Sequence, residues 1–356
     1  MGSGVPARVT YWTGTWDPTK EAISKEIALL RCGPRASAPL VAFSPAHASR
    51  LHLAERVLKL SSRRWLALRA AARLVEPWGD ITHVFGGRSS WHLLRAVGRR
   101  PVLLTAVLAC EDSAELPQIP IARVVVEVDD AVDEWVAAGI PRDRIEVLPP
   151  GIDLDRFRPM PSPEGRFTLL FASTPSDAAE IGPRGIDLLV ELARQRPDID
   201  VLLPWRQWGD LGQVRAAIDR LRPPANVLVE HGDVSDMRAC YVRAHATVAM
   251  FARGRGKACP NFVIEGLACG RPSIMSAEAP LAGTIAGAGA GLAVARDVRA
   301  LSGAVDQAKE RWSGLAAGAR ALAEQRFDEV RFVQRYEQIY AELKEGPDRG
   351  DVSDRP

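Results

Sequence analysis

The chain is predicted to be an α/β protein of two domains built on parallel sheets, on three observations. Apolar, β-branched runs of strand length, among them 80–86 (DITHVFG), 101–108 (PVLLTAVL) and 166–173 (RFTLLFAS), fit strands buried on both faces of a parallel sheet. They alternate with longer segments whose apolar residues recur at helical spacing. At 356 residues the chain exceeds one small core and suits two such domains. Composition agrees with an ordinary globular protein: 47% of residues are hydrophobic and 25% charged. A net charge of +2 is too small for a nucleic-acid binder. The five cysteines form no C-x-x-C pair and no zinc spacing, so reduced thiols of a cytoplasmic protein are expected. No apolar run reaches the roughly 18 residues of a membrane span, and residues 1–10 lack a signal-peptide layout.

In order, 8–16 (RVTYWTGTW) reads as a first strand ending at Gly14, where a missing Cβ lets backbone approach a ligand. A helix to about 30 and a strand at 39–45 follow. The stretch 49–75 reads as a basic amphipathic helix: Leu51, Ala54, Leu58, Trp65, Leu68, Ala72 and Val75 form a stripe, with Arg56, Lys59, Arg63 and Arg73 largely on another face. Such a helix packs on the N-terminal sheet or lies on an anionic membrane surface, which would place the protein on the inner face of the plasma membrane. Strands at 80–86, 101–108 and 123–129 complete the first sheet. Glu127 and Asp129 imitate an acidic metal pair, but at a strand-to-helix junction Asp129 or Asp130 is the expected N-cap, and no metal is expected. A Pro-rich linker at 158–166 divides the chain into domains at 1–158 and 159–326. The helix at 327–345 and a polar, disordered tail at 346–356 follow.

In the second domain, strands at 166–173, 200–204, 226–232 and 246–251 alternate with helices, the first at 186–195. Gly287, Gly289 and Gly291 mimic a dinucleotide fingerprint, but they do not lie between an opening strand and its helix, so a dehydrogenase is disfavoured. The centre of this domain is 257–276, KACPNFVIEGLACGRPSIMS. Asn261 is positioned to cap a helix, Gly270 to end it, and Pro272 to precede a short strand. A helix N-terminus with unpaired N–H groups suits a phosphate. Glu265, one turn in, can accept hydrogen bonds from sugar hydroxyls. The alternative is an ordinary capped helix with a solvated Glu.

This stretch resembles the nucleotide-sugar signature of the family 4 retaining glycosyltransferases, which have the GT-B fold: a Glu, seven residues, a second Glu, then Ala-Cys-Gly-x-Pro-Val. Glu265 matches the second Glu, which in the family holds the donor ribose, and Lys257 stands where the first would contact the transferred sugar. The segment 141–159 (PRDRIEVLPPGIDLDRFRP) resembles the family's domain-closing segment, and 327–344 its C-terminal helix that crosses back to the first domain. The likeness extends over about 10–344. It implies two Rossmann-like domains facing each other across a cleft, with donor on the second and acceptor in the cleft against the first. The diphosphate cations of the family map to Ser173-Thr174, where a Gly-Arg pair is replaced, and to Arg184; one cation is thereby lost unless Arg206 fills the gap, and the alternative for both Arg184 and Arg206 is an arginine in solvent. His231 matches the turn whose backbone meets the nucleobase. Cys259, Asn261, Phe262 and Val263 line the donor with the helix's first turn, and Gly14 keeps part of the family's Gly-rich turn. On the acceptor side, His83 matches a strand His, and Glu111 and Asp112 follow a strand that lacks the family's next His.

The resemblance therefore implies a retaining, metal-independent transferase with Lys257, Arg184 and Glu265 as catalytic residues and no cofactor. It would move a hexose-type sugar from a nucleotide-diphosphate sugar to a glycan, lipid-linked or natural-product acceptor. The alternative is a catalytically inactive homologue that binds nucleotide or glycan as a partner protein.

Overall fold

A computed structural model of the chain describes residues 6–44, 50–52, 55–61, 65–86, 91–107 and 121–346. The chain forms two compact units, Met1–Gly151 with Glu329–Pro356, and Ile152–Asp328.

The first unit holds an eight-stranded sheet. Its spatial order is β3 (Arg50–His52), β4 (Val57–Ser61), β2 (Leu40–Ser44), β1 (Val9–Thr13), β5 (Ile81–Gly86), β6 (Val102–Ala106), β7 (Ile121–Val126) and β8 (Ile145–Val147). All neighbours pair in parallel except β3, which lies antiparallel on the edge beside β4. Strand alternation sends adjacent aromatics to opposite faces. Tyr11 joins the core under α1 (Ala22–Leu30) and α12 (Glu329–Glu345), and Trp12 joins the core under α2 (Trp65–Val75). Both faces are covered, which is why β1 reads VTYWT without a polar face and is buried throughout.

Two expectations change here. The segment expected as one helix over 49–75 is helical only at Trp65–Val75. Val57–Ser61 instead pairs in register with all five residues of β2, and Arg56, at φ 52°, turns the chain between β3 and β4. The stripe of leucines suits either period, and pairing with β2 decides it. Asp130 does occupy the N-cap position of α4 (Ala131–Ala137), but its side chain makes no capping hydrogen bond.

The C-terminal helix belongs to the first unit. Tyr336 and Tyr340 of α12 are fully buried against β1 and β5, and Arg35 and Arg335 pair with Glu337 and Glu146. No helix among the described residues is long and apolar enough to cross a membrane.

The second unit holds a six-stranded, all-parallel sheet. Its order is β11 (Val227–His231), β10 (Ile199–Trp205), β9 (Phe167–Leu170), β12 (Ala246–Ala249), β13 (Ser273–Ser276) and β14 (Gly291–Val294). Its helices are α5 (Ile186–Gln195), α6 (Leu211–Arg220), α7 (Arg238–Arg243), α8 (Asn261–Ala268), α9 (Ala282–Gly287), α10 (Val298–Glu310) and α11 (Trp312–Arg326). In each sheet the chain builds outward one way and then the other, so strand order reverses between β1 and β5 and between β9 and β12. Ligands of open parallel sheets bind outside the strands' carboxyl ends at such a point.

The division between the units falls at 151/152, upstream of the Pro-rich stretch expected as a linker. Ile152 bridges to Asp328 and donates to the Phe327 carbonyl at 2.7 Å, which ties both crossings together. The Pro-rich stretch itself is strapped down. Arg271, fully buried, donates to the carbonyls of Met160 (3.2 Å), Pro161 (2.7 Å) and Tyr241 (2.8 Å). Residue 287 ends α9 and residue 291 opens β14, so the three glycines form a helix-to-strand turn.

Candidate active site

The candidate site lies at the carboxyl end of the second sheet, where β9 and β12 diverge. β9 runs on into Phe171, whose ring meets those of Phe251 (5.9 Å) and Phe262 (5.7 Å, edge-on) and forms an apolar floor. Above it, the loop after β9 carries Ser173 and Thr174. Ser173 Oγ accepts a hydrogen bond from Arg184 Nη1, and Thr174 Oγ1 accepts one from the Arg206 amide at 3.2 Å. Arg206 places its guanidinium 4.9 Å over the Trp208 ring. Four residues expected to meet the diphosphate are thus joined in two pairs, Ser173 with the Arg184 guanidinium and Thr174 with the Arg206 backbone.

Arg184 is tied to a residue that sequence reasoning missed. Its Nε and Nη2 lie 3.0 and 2.9 Å from Glu180 Oε2, which also accepts from the Ser176 amide at 2.6 Å. Burial pushes the Glu180 carboxyl up, but the hydrogen bonds from Arg184 and Ser176 outweigh it and hold the carboxyl below its ordinary range. The i,i+4 spacing of Glu180 and Arg184 was the available signal.

The loop after β12 joins this one. The Ala252 amide donates to the Pro183 carbonyl (2.8 Å), and Arg296 donates to the carbonyls of Met250 and Gly182. Gly185, at φ +73°, permits the approach: a Cβ there would stand 2.5 Å from Met250 Cβ and nearer still to its carbonyl oxygen. These contacts set Arg184 beside the chain that leads through Arg253 and Arg255 to Lys257.

Helix α8 begins here, one residue differently from expectation. Pro260, not Asn261, takes the N-cap position. Its φ of −64° and ψ of 126° are those of a cap, and its carbonyl accepts from the amides of Val263 (2.9 Å) and Ile264 (3.2 Å). Asn261 is the first helical residue and caps nothing; its Oδ1 accepts from Lys257 Nζ at 3.3 Å. The amides of Asn261 and Phe262 precede the first ladder bond, so they are the donors that the helix end presents to an anion. Cys259 and Val263, both expected to line the donor, are instead fully buried in the core.

Glu265 is 4% exposed, inside the helix layer. Tyr241 Oη donates to Glu265 Oε2 and to the Phe262 carbonyl, each at 3.0 Å. Burial first, and the Glu265 charge second, raise the Tyr241 phenol well above its usual range, so it stays a donor. Nothing in the residues around Tyr241 signalled this role. Beyond the helix, Arg320 donates to the Ala268 carbonyl at 3.0 Å and satisfies its C-terminal end. His231 ends β11, the outermost strand on its side, exposed and edge-on to Trp205 at 6.1 Å. Burial and then Arg215 lower its pKa.

In the first unit, Gly14 directly follows β1 at that sheet's own order reversal. His83 does not sit in an open site. It is fully buried, its Nδ1 sharing a hydrogen bond with Tyr340 Oη and its Nε2 with Thr105 Oγ1, both at 2.7 Å. Tyr336 Oη in turn shares one with Thr105 at 2.6 Å. The expected acceptor-side His is thus the polar rivet between α12 and the sheet, and burial holds its pKa well below the ordinary value. Glu111 and Asp112 lie outside the described residues. Among the described residues no three His, Cys, Asp or Glu side chains converge as metal ligands.

No protein-family model matches the chain, and no curated protein matches it in sequence. Solved structures do. HepE of Anabaena, crystallised with UDP and glucose, superposes with a TM-score of 0.74 at 15% identity, over 94% of this chain and 99% of its own. Sucrose-phosphate synthase from Thermosynechococcus elongatus gives 0.71 at 16% identity, over 94% and 99%. A glycosyltransferase from Rickettsia africae gives 0.70 at 15% identity, over 96% and 100%. The chain has the GT-B fold, with two Rossmann-like units and a C-terminal helix returned to the first.

Proposed function

We propose that this chain is a family 4 type retaining glycosyltransferase that moves a hexose-type sugar from a nucleotide-diphosphate sugar to a glycan, lipid-linked or natural-product acceptor, without a metal. The observation that carries the reading is that the Arg184–Ser173 pair and the Lys257–Asn261 pair at the amino end of α8 lie on the two loops that leave β9 and β12 at the order reversal of the second sheet. That HepE binds UDP on the same fold supports a nucleotide donor. Breaking the glycosidic bond places charge on the leaving diphosphate, and fixed donors there lower the barrier. Arg184 and the Asn261 and Phe262 amides supply them. Glu265, oriented by Tyr241, holds the ribose; the backbone at His231 meets the base. Lys257 faces the sugar or the β-phosphate. The acceptor binds on the first unit near Gly14. Retention follows front-face attack: the acceptor oxygen bonds to the anomeric carbon as the bond to the diphosphate breaks, and a phosphate oxygen takes the acceptor's proton.

A thermal-shift panel of UDP-, GDP-, ADP- and dTDP-sugars tests the donor class, because stabilisation grows with ligand concentration over its dissociation constant. One base should stand out, and donor hydrolysis or transfer should be lost in Glu265→Ala. A folded sample that none of these compounds shifts refutes the reading. Tight binding without turnover supports the second reading, a non-catalytic nucleotide- or glycan-binding partner. That reading is favoured by the carboxylate already on Arg184 and by Lys257 in place of an acid.

We also propose that the protein works in the cytoplasm at the inner face of the membrane. The outer face of α2 and the turn after it expose Leu66 (79%), Leu74 (72%) and Trp78 (63%), interleaved with exposed Arg69 and Arg73. Binding to vesicles containing anionic lipid should exceed that to zwitterionic ones and fall in Leu66→Ser/Leu74→Ser. Equal binding of both proteins would count against it.

A further inference from the structure

The phosphate side of the site contains a fixed anion of its own. Glu180 Oε2 faces the Nε and Nη2 edge of Arg184 at 3.0 and 2.9 Å, with the two side chains 31% and 17% exposed. This carboxylate is not a swinging latch. Oε2 also accepts from the Ser176 amide, Ser176's carbonyl accepts from Asp210 (2.8 Å), and Gly209, at φ +59°, packs directly on that carbonyl. Asp177 caps the same turn by accepting from Ala179 at 2.8 Å. The loop is therefore built to keep a negative charge beside the cation. Ser173 takes a further Arg184 N–H, so a ligand meets the remaining guanidinium donors with Glu180 still in place.

A cation so balanced still donates hydrogen bonds, but its net pull on added negative charge is weak. A free nucleoside diphosphate carries the second ionisation of its terminal phosphate, which falls at about pH 6, whereas a sugar-capped diphosphate lacks it. Glu180 repels that extra charge and leaves the capped ligand comparatively unaffected. We infer that Glu180 is a specificity-determining residue: a charge filter that favours sugar-esterified diphosphates over free nucleoside diphosphates at Arg184. The inference rests on the nucleotide-sugar reading above and deepens it. A filter of this kind also hastens release of the diphosphate left after transfer.

Isothermal titration of UDP, ADP, GDP and dTDP, each against its glucose ester, tests it in the full chain. The parent is compared with Glu180→Gln, which keeps an acceptor for Arg184 and Ser176 but removes the charge, with Arg184→Gln, and with the double variant. For the base the parent binds, Glu180→Gln should tighten the free diphosphate about tenfold and the ester at most about threefold. In the Arg184→Gln background, where no cation offsets Glu180, the ratio should move at least as far. A ratio unchanged by Glu180→Gln, or both ligands weakened alike, overturns the filter and leaves the nucleotide-sugar reading standing. Failure of the folded parent to bind any of the compounds overturns both. Glu180→Ala, which removes charge and bulk, gives the same comparison should Glu180→Gln not fold.

Discussion

Tyr241→Phe isolates the contact that holds Glu265 within helix α8. Phenylalanine keeps the ring and its edge-on packing against Phe157 at 6.2 Å, so no cavity opens. What is lost is one hydroxyl, on a fully buried tyrosine, whose single proton is shared between the carboxylate of the buried Glu265 and the Phe262 carbonyl. Hydrogen bonds to charged groups contribute about 1.5–3 kcal/mol, and a buried acceptor left short of a donor costs about 1–3 kcal/mol. We expect the second unit to lose about 2 kcal/mol, or about 4–8 °C in Tm for a unit of its size. Urea-dependent amide hydrogen exchange over Ile152–Asp328 reads this, because the nine tryptophans are divided between the two units. Glu265→Gln should shrink the effect of Tyr241→Phe, since a neutral amide is less costly to leave underserved. A Tyr241→Phe variant within about 0.5 kcal/mol of the parent, with no coupling to Glu265→Gln, refutes the claim that Tyr241 secures that carboxylate.

Two further outcomes follow from the same contacts. Gly185→Ala forces a Cβ into left-handed backbone against Met250 and should destabilise the second unit by about 2–4 kcal/mol, read as a lower urea midpoint; an unchanged midpoint means the two loops do not pack as described. His83 is buried neutral, so below about pH 6.5 the unfolded chain binds a proton that the folded one refuses. Stability of the first unit should therefore fall with pH there, by up to about 1.4 kcal/mol per pH unit, and His83→Gln should remove that slope from a less stable starting point. The readout must come from the first unit, through hydrogen exchange of its own amides, because His231 and His245 of the second unit are also depressed, chiefly by burial. A slope that persists in His83→Gln contradicts the assignment.

Much of the architecture was legible because local chemistry and tertiary demand coincide. Strands such as VTYWT and ITHVFG are apolar on both faces, and only a covered parallel sheet accommodates that. The helix after 257 falls within one residue of where its turn residues place it. The miscalls occurred where two local readings compete. Val57–Ser61 sits in a leucine stripe that suits a helix, yet its backbone pairs with β2. Asn261 is a good cap by type, but the proline before it already holds the cap geometry. His83 is expected on the acceptor side because it matches a His of the family's strand; α12 supplies the Tyr340 hydroxyl from 257 positions away.

By itself the amino-acid sequence determined the class of fold and the second unit's helix α8 with the turn residues that bound it. Periodicity, turn residues and motif spacing are local properties, carried by neighbours along the chain. Only the tertiary structure decided which groups are already spoken for: His83 by Tyr340 and Thr105, Glu265 by Tyr241, Arg184 by Glu180 and Ser173. Those pairings depend on burial and on contacts between loops or elements, and a buried polar group must find its partner wherever the fold puts one.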